Sequence, residues 1–189
     1  MRLPSSEKWV ARAKRFARPL LTSTKNDRLR WAGCVLACAA MAISSFAWFY
    51  SNFAIAWDRQ TLRCMDVRFL LVDKRDKMPE RDAIVTYVSR NASPIIKDGT
   101  VVGKYLRGMP GDVVEIRPDE SILINGVQVA KGLPHLFGIS EEAKAKFFGR
   151  RVLGDNEYWV MGTTRMSFDS RYWGPIHRDQ ILGRAYALF

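Results

Sequence analysis

The chain has 189 residues, 48% of them hydrophobic, with 30 Lys and Arg against 19 Asp and Glu, a size that excludes a second domain of ordinary size beside a full core. The charge is uneven: residues 1–30 hold nine Lys or Arg and two acids, so +7 of the net +11 lies there. With three cysteines and two widely spaced histidines, no metal-ligand spacing is present, and no cofactor motif is found.

A basic arm of this kind raises nucleic-acid binding first, but the arm has no stacking aromatics apart from Trp9 and Phe16, and the uncharged run behind it accounts for its charge otherwise. From Trp31 to Trp57 no residue is charged: WAGCVLACAAMAISSFAWFYSNFAIAW. About 20 apolar residues cross a bilayer as a helix, and Trp31 at one end with Trp48, Phe49, Tyr50 and Trp57 towards the other read as interface anchors. The expectation is a cytoplasmic segment over 1–30, a transmembrane helix over 31–57 and an exported domain over 58–189, oriented by the positive-inside rule. A cleaved signal peptide is the alternative, disfavoured by the length of the run and the lack of a small-x-small cleavage site. Cys34 and Cys38 fall inside the span as small packing residues. Cys64 stands alone in the exported part, where thiols are ordinarily paired.

Beyond Trp57 the pattern changes to short strands with turn punctuation. Strands are predicted in VRFLLVDK (67–74), AIVTYV (83–88), DVVEIRP (112–118) and SILINGVQVA (121–130), the last folded into a hairpin by Asn125-Gly126 between alternating apolar residues. SEEAKAKFF (140–148), with a Ser cap and early acids, is the one predicted helix of this domain. YWVMG (158–162) and ILGRAYALF (181–189) read as closing strands. The fold class is therefore mainly β, an antiparallel sheet domain with one short helix behind a single membrane helix.

Three stretches carry chemistry: TLRCMDVRFLLVDK, with Cys64 seven residues past Trp57; GKYLRGMPGDVVEI, with Lys104 ahead of a Pro110-Gly111-Asp112 turn; and SFDSRYWGPI at 167–176. In this order behind a membrane anchor they resemble the type I signal peptidase family, and particularly its conjugative-transfer branch, the TraF-type pilin-maturation peptidases. There a nucleophile, usually serine and in many members followed by methionine, stands just after the span, and Cys64-Met65 occupies that place. The family's catalytic lysine lies six residues before the proline of the Pro-Gly-Asp turn, as Lys104 does before Pro110. Its closing box reads Ser-x-Asp-Ser-Arg-aromatic-aromatic-Gly, matched by Ser167, Asp169, Ser170, Arg171, Tyr172, Trp173 and Gly174. ERDAIVTY (80–87) is a weaker match to the segment between nucleophile and lysine.

The resemblance implies a signal-peptidase-like β fold and acyl transfer by a Cys64/Lys104 dyad. It implies that Ser167 orients the lysine amine and that Asp169, Ser170 and Arg171 brace the box, Asp169 and Arg171 as an ion pair. The physical sense is that a lysine serves as a base only where burial lowers its pKa well below about 10.4, and a neutral amine then needs a hydroxyl partner. Departures from the family pattern are Cys for Ser at 64, Asp66-Val67-Arg68 in place of a proline-bearing motif, Leu62 without an oxyanion donor, and Gly162-Thr163-Thr164 in place of glycine-aspartate-asparagine. These leave open an inert Cys64 in a decayed site and a nucleophile elsewhere, such as Ser51 or Ser170; a Cys-His dyad with His135 or His177 lacks a supporting motif. The implied substrates are exported precursors, above all pilin, met at the bilayer by a protein of the bacterial inner membrane whose catalytic domain faces the periplasm. Conjugation or type IV secretion machinery is the implied partner and nucleic acid is not. Cleavage and cyclisation are both compatible outcomes, and a non-catalytic assembly factor of the same apparatus is the rival from another class.

Overall fold

The computed structural model describes residues 24–58, 64–78 and 80–188. The basic segment up to residue 23, and Leu62 with the oxyanion question attached to it, lie outside the described residues. The chain divides into two compact units, one ending at Tyr50 and one beginning at Ser51.

The first unit is built on helix α1, Lys25–Asn52, which opens on Thr24: its hydroxyl donates to Asp27 at 2.6 Å and accepts from the Asp27 amide. Among the described residues α1 is the one helix long and apolar enough to cross a membrane, by length and composition. The expected span of 31–57 needs correction at its end: α1 stops at Asn52, and Phe53–Trp57 is strand β1, paired antiparallel with β2, Phe69–Asp73. The reason is local. In FAIAW the residues alternate, Ala54 and Ala56 packing on the core while Ile55 and Trp57 point outwards, which is a strand period. The uncharged helical part from Trp31 to Asn52 still runs about 33 Å at 1.5 Å per residue, enough for a hydrocarbon core of about 30 Å.

The second unit holds two antiparallel sheets among the described residues. The strands after β2 are β3 (Ile84–Val88), β4 (Val101–Gly108), β5 (Val113–Ile116), β6 (Ser121–Ile124), β7 (Val127–Lys131), β8 (Gly149–Val152), β9 (Glu157–Met161), β10 (Ile176–His177) and β11 (Ile181–Ala187). They form a seven-stranded sheet in the order β1-β2-β11-β3-β4-β9-β10 and a four-stranded sheet in the order β7-β6-β5-β8. Short helices α2 (Glu141–Ala145) and α3 (Ser170–Trp173) complete it. Ser140 caps α2 as the sequence predicts, but α2 ends at Ala145 and leaves Phe147 and Phe148 in a turn, where they pack on the core of the smaller sheet.

The Asn125-Gly126 hairpin forms between β6 and β7, with both residues at positive φ, 51° and 80°, the geometry that Asn-Gly adopts at least cost. Asn125 also reaches across to the Pro-Gly-Asp turn: its amide donates to Asp112 at 2.8 Å, beside Arg81 at 2.7 and 3.0 Å and the Met109 amide at 2.6 Å. One carboxylate thus ties together the segment before β3, the turn after β4 and the hairpin. Burial works against its ionisation, but Arg81, Met109 and Asn125 outweigh that and hold Asp112 below the usual carboxylate range. A group with a depressed folded pKa contributes stability above its unfolded pKa of about 3.9, lost as pH falls through the folded value. Asp112→Asn should therefore be less stable than the parent to urea at neutral pH, and the gap should narrow as pH falls below the unfolded value of about 3.9; a gap constant with pH would show that the carboxylate charge contributes nothing.

Candidate active site

Lys104 sits on β4 opposite Val85 of β3. On this strand the inward positions are Lys104, Leu106 and Gly108, so the lysine takes a place where the strand period asks for an apolar side chain. It is fully buried. Its Nζ lies 2.8 Å from Ser167 Oγ, and among the described residues no carboxylate forms an ion pair with it. A primary amine held against a hydroxyl, in an apolar wall and without a counter-charge, is arranged to take up and release a proton.

Ser167 is in turn fixed by its own loop. Its amide donates to Thr164 O at 3.1 Å, and its carbonyl accepts from Arg171 Nη2 at 2.8 Å. Arg171 and Asp169 form a two-pronged ion pair at 2.7 and 2.8 Å, with side chains 3% and 0% exposed. Asp169 also caps α3 through the Arg171 amide at 3.3 Å and accepts from the Gly162 amide at 3.0 Å. Burial alone would lower the Arg171 pKa, but the Asp169 carboxylate outweighs it and raises it. Ser170 Oγ accepts from the Val160 amide at 3.0 Å and is fully buried, which ties the box to β9.

Cys64 enters through its main chain. Its carbonyl accepts from Thr163 N at 2.9 Å and Thr164 N at 3.4 Å, so the Gly162-Thr163-Thr164 turn that departs from the family pattern clamps the cysteine backbone. Gly162 is the junction of these contacts. A Cβ on it would overlap both the Cys64 carbonyl oxygen and Ser167 Oγ, which means that the cysteine backbone and the hydroxyl holding Lys104 converge on one α-carbon. The sequence marks Gly162-Thr163-Thr164 only as a departure from the family pattern; that the Thr163 and Thr164 amides hold the Cys64 carbonyl is visible only in the structure. Cys64 is a free, half-buried thiol, and Met65 behind it is buried in the core with Leu70 and Val72. Gly162→Ala should move the Cys64 carbonyl away from Ser167, and a reaction that uses both groups should slow by about 10²-fold, the cost of misplacing reacting groups by about 1 Å; wild-type rates in this variant would show that the convergence is not used.

The other candidates stand elsewhere. Ser51 is an exposed residue of the last turn of α1. The His135 ring contacts Met166 O at 2.9 Å through Nε2 and meets Phe168 and Tyr172 edge-on, while His177 caps a short 3-10 turn at Arg178–Gln180. Among the described residues neither histidine is hydrogen-bonded to Cys64, and no group of three or more His, Cys, Asp or Glu is placed to hold a metal ion.

A family model described as signal peptidase, peptidase S26, matches residues 28–189. The chain is 29% identical over 124 residues to a probable signal peptidase I-2 of Synechocystis sp., covering 64% of this chain and 54% of that protein. It is 35% identical over 95 residues to signal peptidase I V of Bacillus subtilis, covering 46% and 56%. The chain thus spans about half the length of the curated relatives it matches. A crystal structure of a signal peptidase I from Enterococcus faecalis is 24% identical, covering 58% of this chain and 97% of that one, with a TM-score of 0.37.

Proposed function

Because this chain belongs to the signal peptidase family, peptidase S26, we propose that it is a membrane-anchored endopeptidase that cuts exported precursor proteins by acyl transfer. The observation that carries the reading is Lys104, fully buried with its amine on Ser167 Oγ, next to the turn that clamps Cys64. In the proposed reaction the Cys64 sulfur attacks the scissile carbonyl and its proton passes to Lys104; Lys104 then protonates the departing amine, and the acyl group stays on sulfur as a thioester. Water, or an amine, releases it.

The finer reading is pilin maturation for a conjugative or type IV secretion system, with the helix α1 in the bacterial inner membrane, residues 1–30 in the cytoplasm and the β domain in the periplasm. Cysteine in place of serine supports ring closure as well as cleavage. A thioester is attacked by amines more readily than an oxygen ester of similar reactivity to water, so the acyl group on Cys64 is open to a peptide amine, including the substrate's own N-terminus. The second reading, an assembly factor that has kept the fold without the chemistry, is favoured by the departures at Cys64 and at Asp66-Val67-Arg68.

The test is co-expression of the full chain, or its Cys64→Ala form, with pilin precursors of its own transfer locus, followed by intact-mass measurement. Shortened product with wild type alone supports the peptidase, and a product lighter by one water than the linear peptide supports ring closure. Precursors left whole by wild type would favour the assembly factor.

A further inference from the structure

Ser167 owes its place against the Lys104 amine to the peptide units on either side of it. The unit before it is planar and is held at both ends: its N–H, on Ser167, donates to Thr164 O at 3.1 Å, and its C=O, on Met166, accepts from His135 Nε2 at 2.9 Å. The unit after it is held by Arg171, whose Nη2 donates to Ser167 O at 2.8 Å. Thr164 and Arg171 belong to the serine's own loop and box. His135 lies 31 residues before Met166 in the chain, so its contact is the one of the three that local structure does not supply.

The histidine is rigidly mounted. It is the middle residue of a 3-10 turn, Pro134–Leu136, that opens on a proline with its fixed φ. Leu133 and Leu136, which flank it, are buried in the core of the smaller sheet, 2% and 4% exposed, and the Leu133 amide donates to the Glu120 carboxylate at 2.9 Å. A carbonyl oxygen can only accept, so the ring nitrogen that carries the proton is Nε2. The ring plane is set by two further contacts: it meets the Phe168 ring at 5.3 Å and the Tyr172 ring at 5.0 Å, almost perpendicular to both, and those two rings stack on each other at 5.1 Å. His135 thus touches the residues on both sides of Ser167, Met166 and Phe168, and its N–H is spent on the carbonyl that shares a peptide unit with the Ser167 amide.

We propose that His135 is a positioning residue: through Nε2–H it fixes the Met166–Ser167 peptide unit and so aims the Ser167 hydroxyl at the Lys104 amine. It exchanges no proton with substrate and acts only through the serine. Its turn is rooted in the core of the smaller sheet, whereas Lys104 lies on β4 of the larger one, so the contact on Met166 keeps the hydroxyl and the amine in register across the two sheets. The effect on rate rests on the proposed peptidase reading; the hold on Ser167 does not.

The full chain in detergent and its His135→Gln, His135→Asn and His135→Phe variants are compared on an exported precursor protein that carries its signal peptide. Glutamine places an amide N–H the same number of bonds from Cα as the histidine Nε2, and should stay within about twofold of wild type. Asparagine is one bond short and phenylalanine keeps the ring without the donor; both should lose about tenfold in kcat with KM unchanged, a part of the roughly 10²-fold that a misplacement of about 1 Å costs. In a Ser167→Ala background the loss from His135→Phe should shrink to within about twofold, because its route of action is gone. Amide exchange, which needs no substrate, should be faster at Ser167 in the Phe and Asn variants than in wild type and the Gln variant, and unchanged in the β6–β7 hairpin. Equal kcat for wild type, His135→Phe and His135→Asn would overturn the proposal. So would a tenfold loss that persists in Ser167→Ala, or a Gln variant as slow as the Phe one, either of which makes the ring merely structural. A precursor left whole by wild type, with the exchange difference present, would end the peptidase reading and support the hold on Ser167; cleavage by wild type with coincident exchange would remove His135 alone.

Discussion

Lys104→Met should lose processing by about 10²- to 10⁴-fold, the range typical for removing a positioned general acid or base, while remaining folded. Methionine keeps the unbranched stem that β4 packs beside Leu106 and Val85 and removes only the amine. What is given up structurally is one hydrogen bond to Ser167 Oγ, worth about 1 kcal/mol net, set against relief of a polar group in an apolar wall. Stability and activity should therefore part company. Ser167→Ala should fall between Lys104→Met and wild type in rate, because the amine remains but is no longer aimed. Processing at wild-type rate by Lys104→Met, measured on a variant shown to be folded by circular dichroism, would remove the lysine from the chemistry.

Asp169→Asn should have the largest effect on stability, a loss of about 3–5 kcal/mol, which is the cost of leaving a buried charge without its partner. Both side chains of the pair are almost wholly out of water, so solvent cannot take over the role of the carboxylate. Asparagine has a single acceptor oxygen for four N–H groups, and its own NH₂ faces donors at Gly162 or Arg171. Replacing both partners, Asp169→Asn with Arg171→Met, should cost less than Asp169→Asn alone, since no charge is then stranded. Equilibrium unfolding in urea of the two single variants and the double variant gives the coupling. A single Asp169→Asn variant with parental stability and no activity would instead mark the carboxylate as a participant in the reaction.

The parts of the fold that could be read from sequence are those where alternation is clean. β2, β3, β5, β6, β9 and β11 follow the apolar runs that announce them, and Asn125-Gly126 fixed the hairpin by its backbone preference. The two-residue β10 and the four-residue α3 are too short to carry a period and are not read from the sequence, and β1, β4 and β8 were hidden for three separate reasons. β1 was absorbed into the uncharged run because FAIAW is as apolar as the helix before it. β4 was obscured because its central inward position is Lys104, a charge where the pattern asks for Leu or Val. β8, Gly149–Val152, is exposed along its whole length with two arginines, so it carries no core-facing signal at all.

The site divides in the same way. Lys104 and Ser167 are 63 residues apart, and nothing in composition or period joins them; their pairing was expected only through family resemblance. Contacts made by main-chain atoms were out of reach of any residue pattern. Thr163 and Thr164 hold Cys64 through amide hydrogens, which every residue but proline has, and Gly162 is needed for the space it leaves.

The most direct measurement is made on Cys64 itself. The full chain is mixed with an exported precursor protein, quenched in acid at short times, and digested for mass analysis of the peptide that contains Cys64. Acyl transfer by the Cys64/Lys104 pair predicts a substrate-derived acyl group on the Cys64 sulfur that rises before product appears, is released by hydroxylamine, and is absent from Lys104→Met. Shortened product formed at the wild-type rate by Cys64→Ala, with no adduct on Cys64 in the parent at any time, would contradict it.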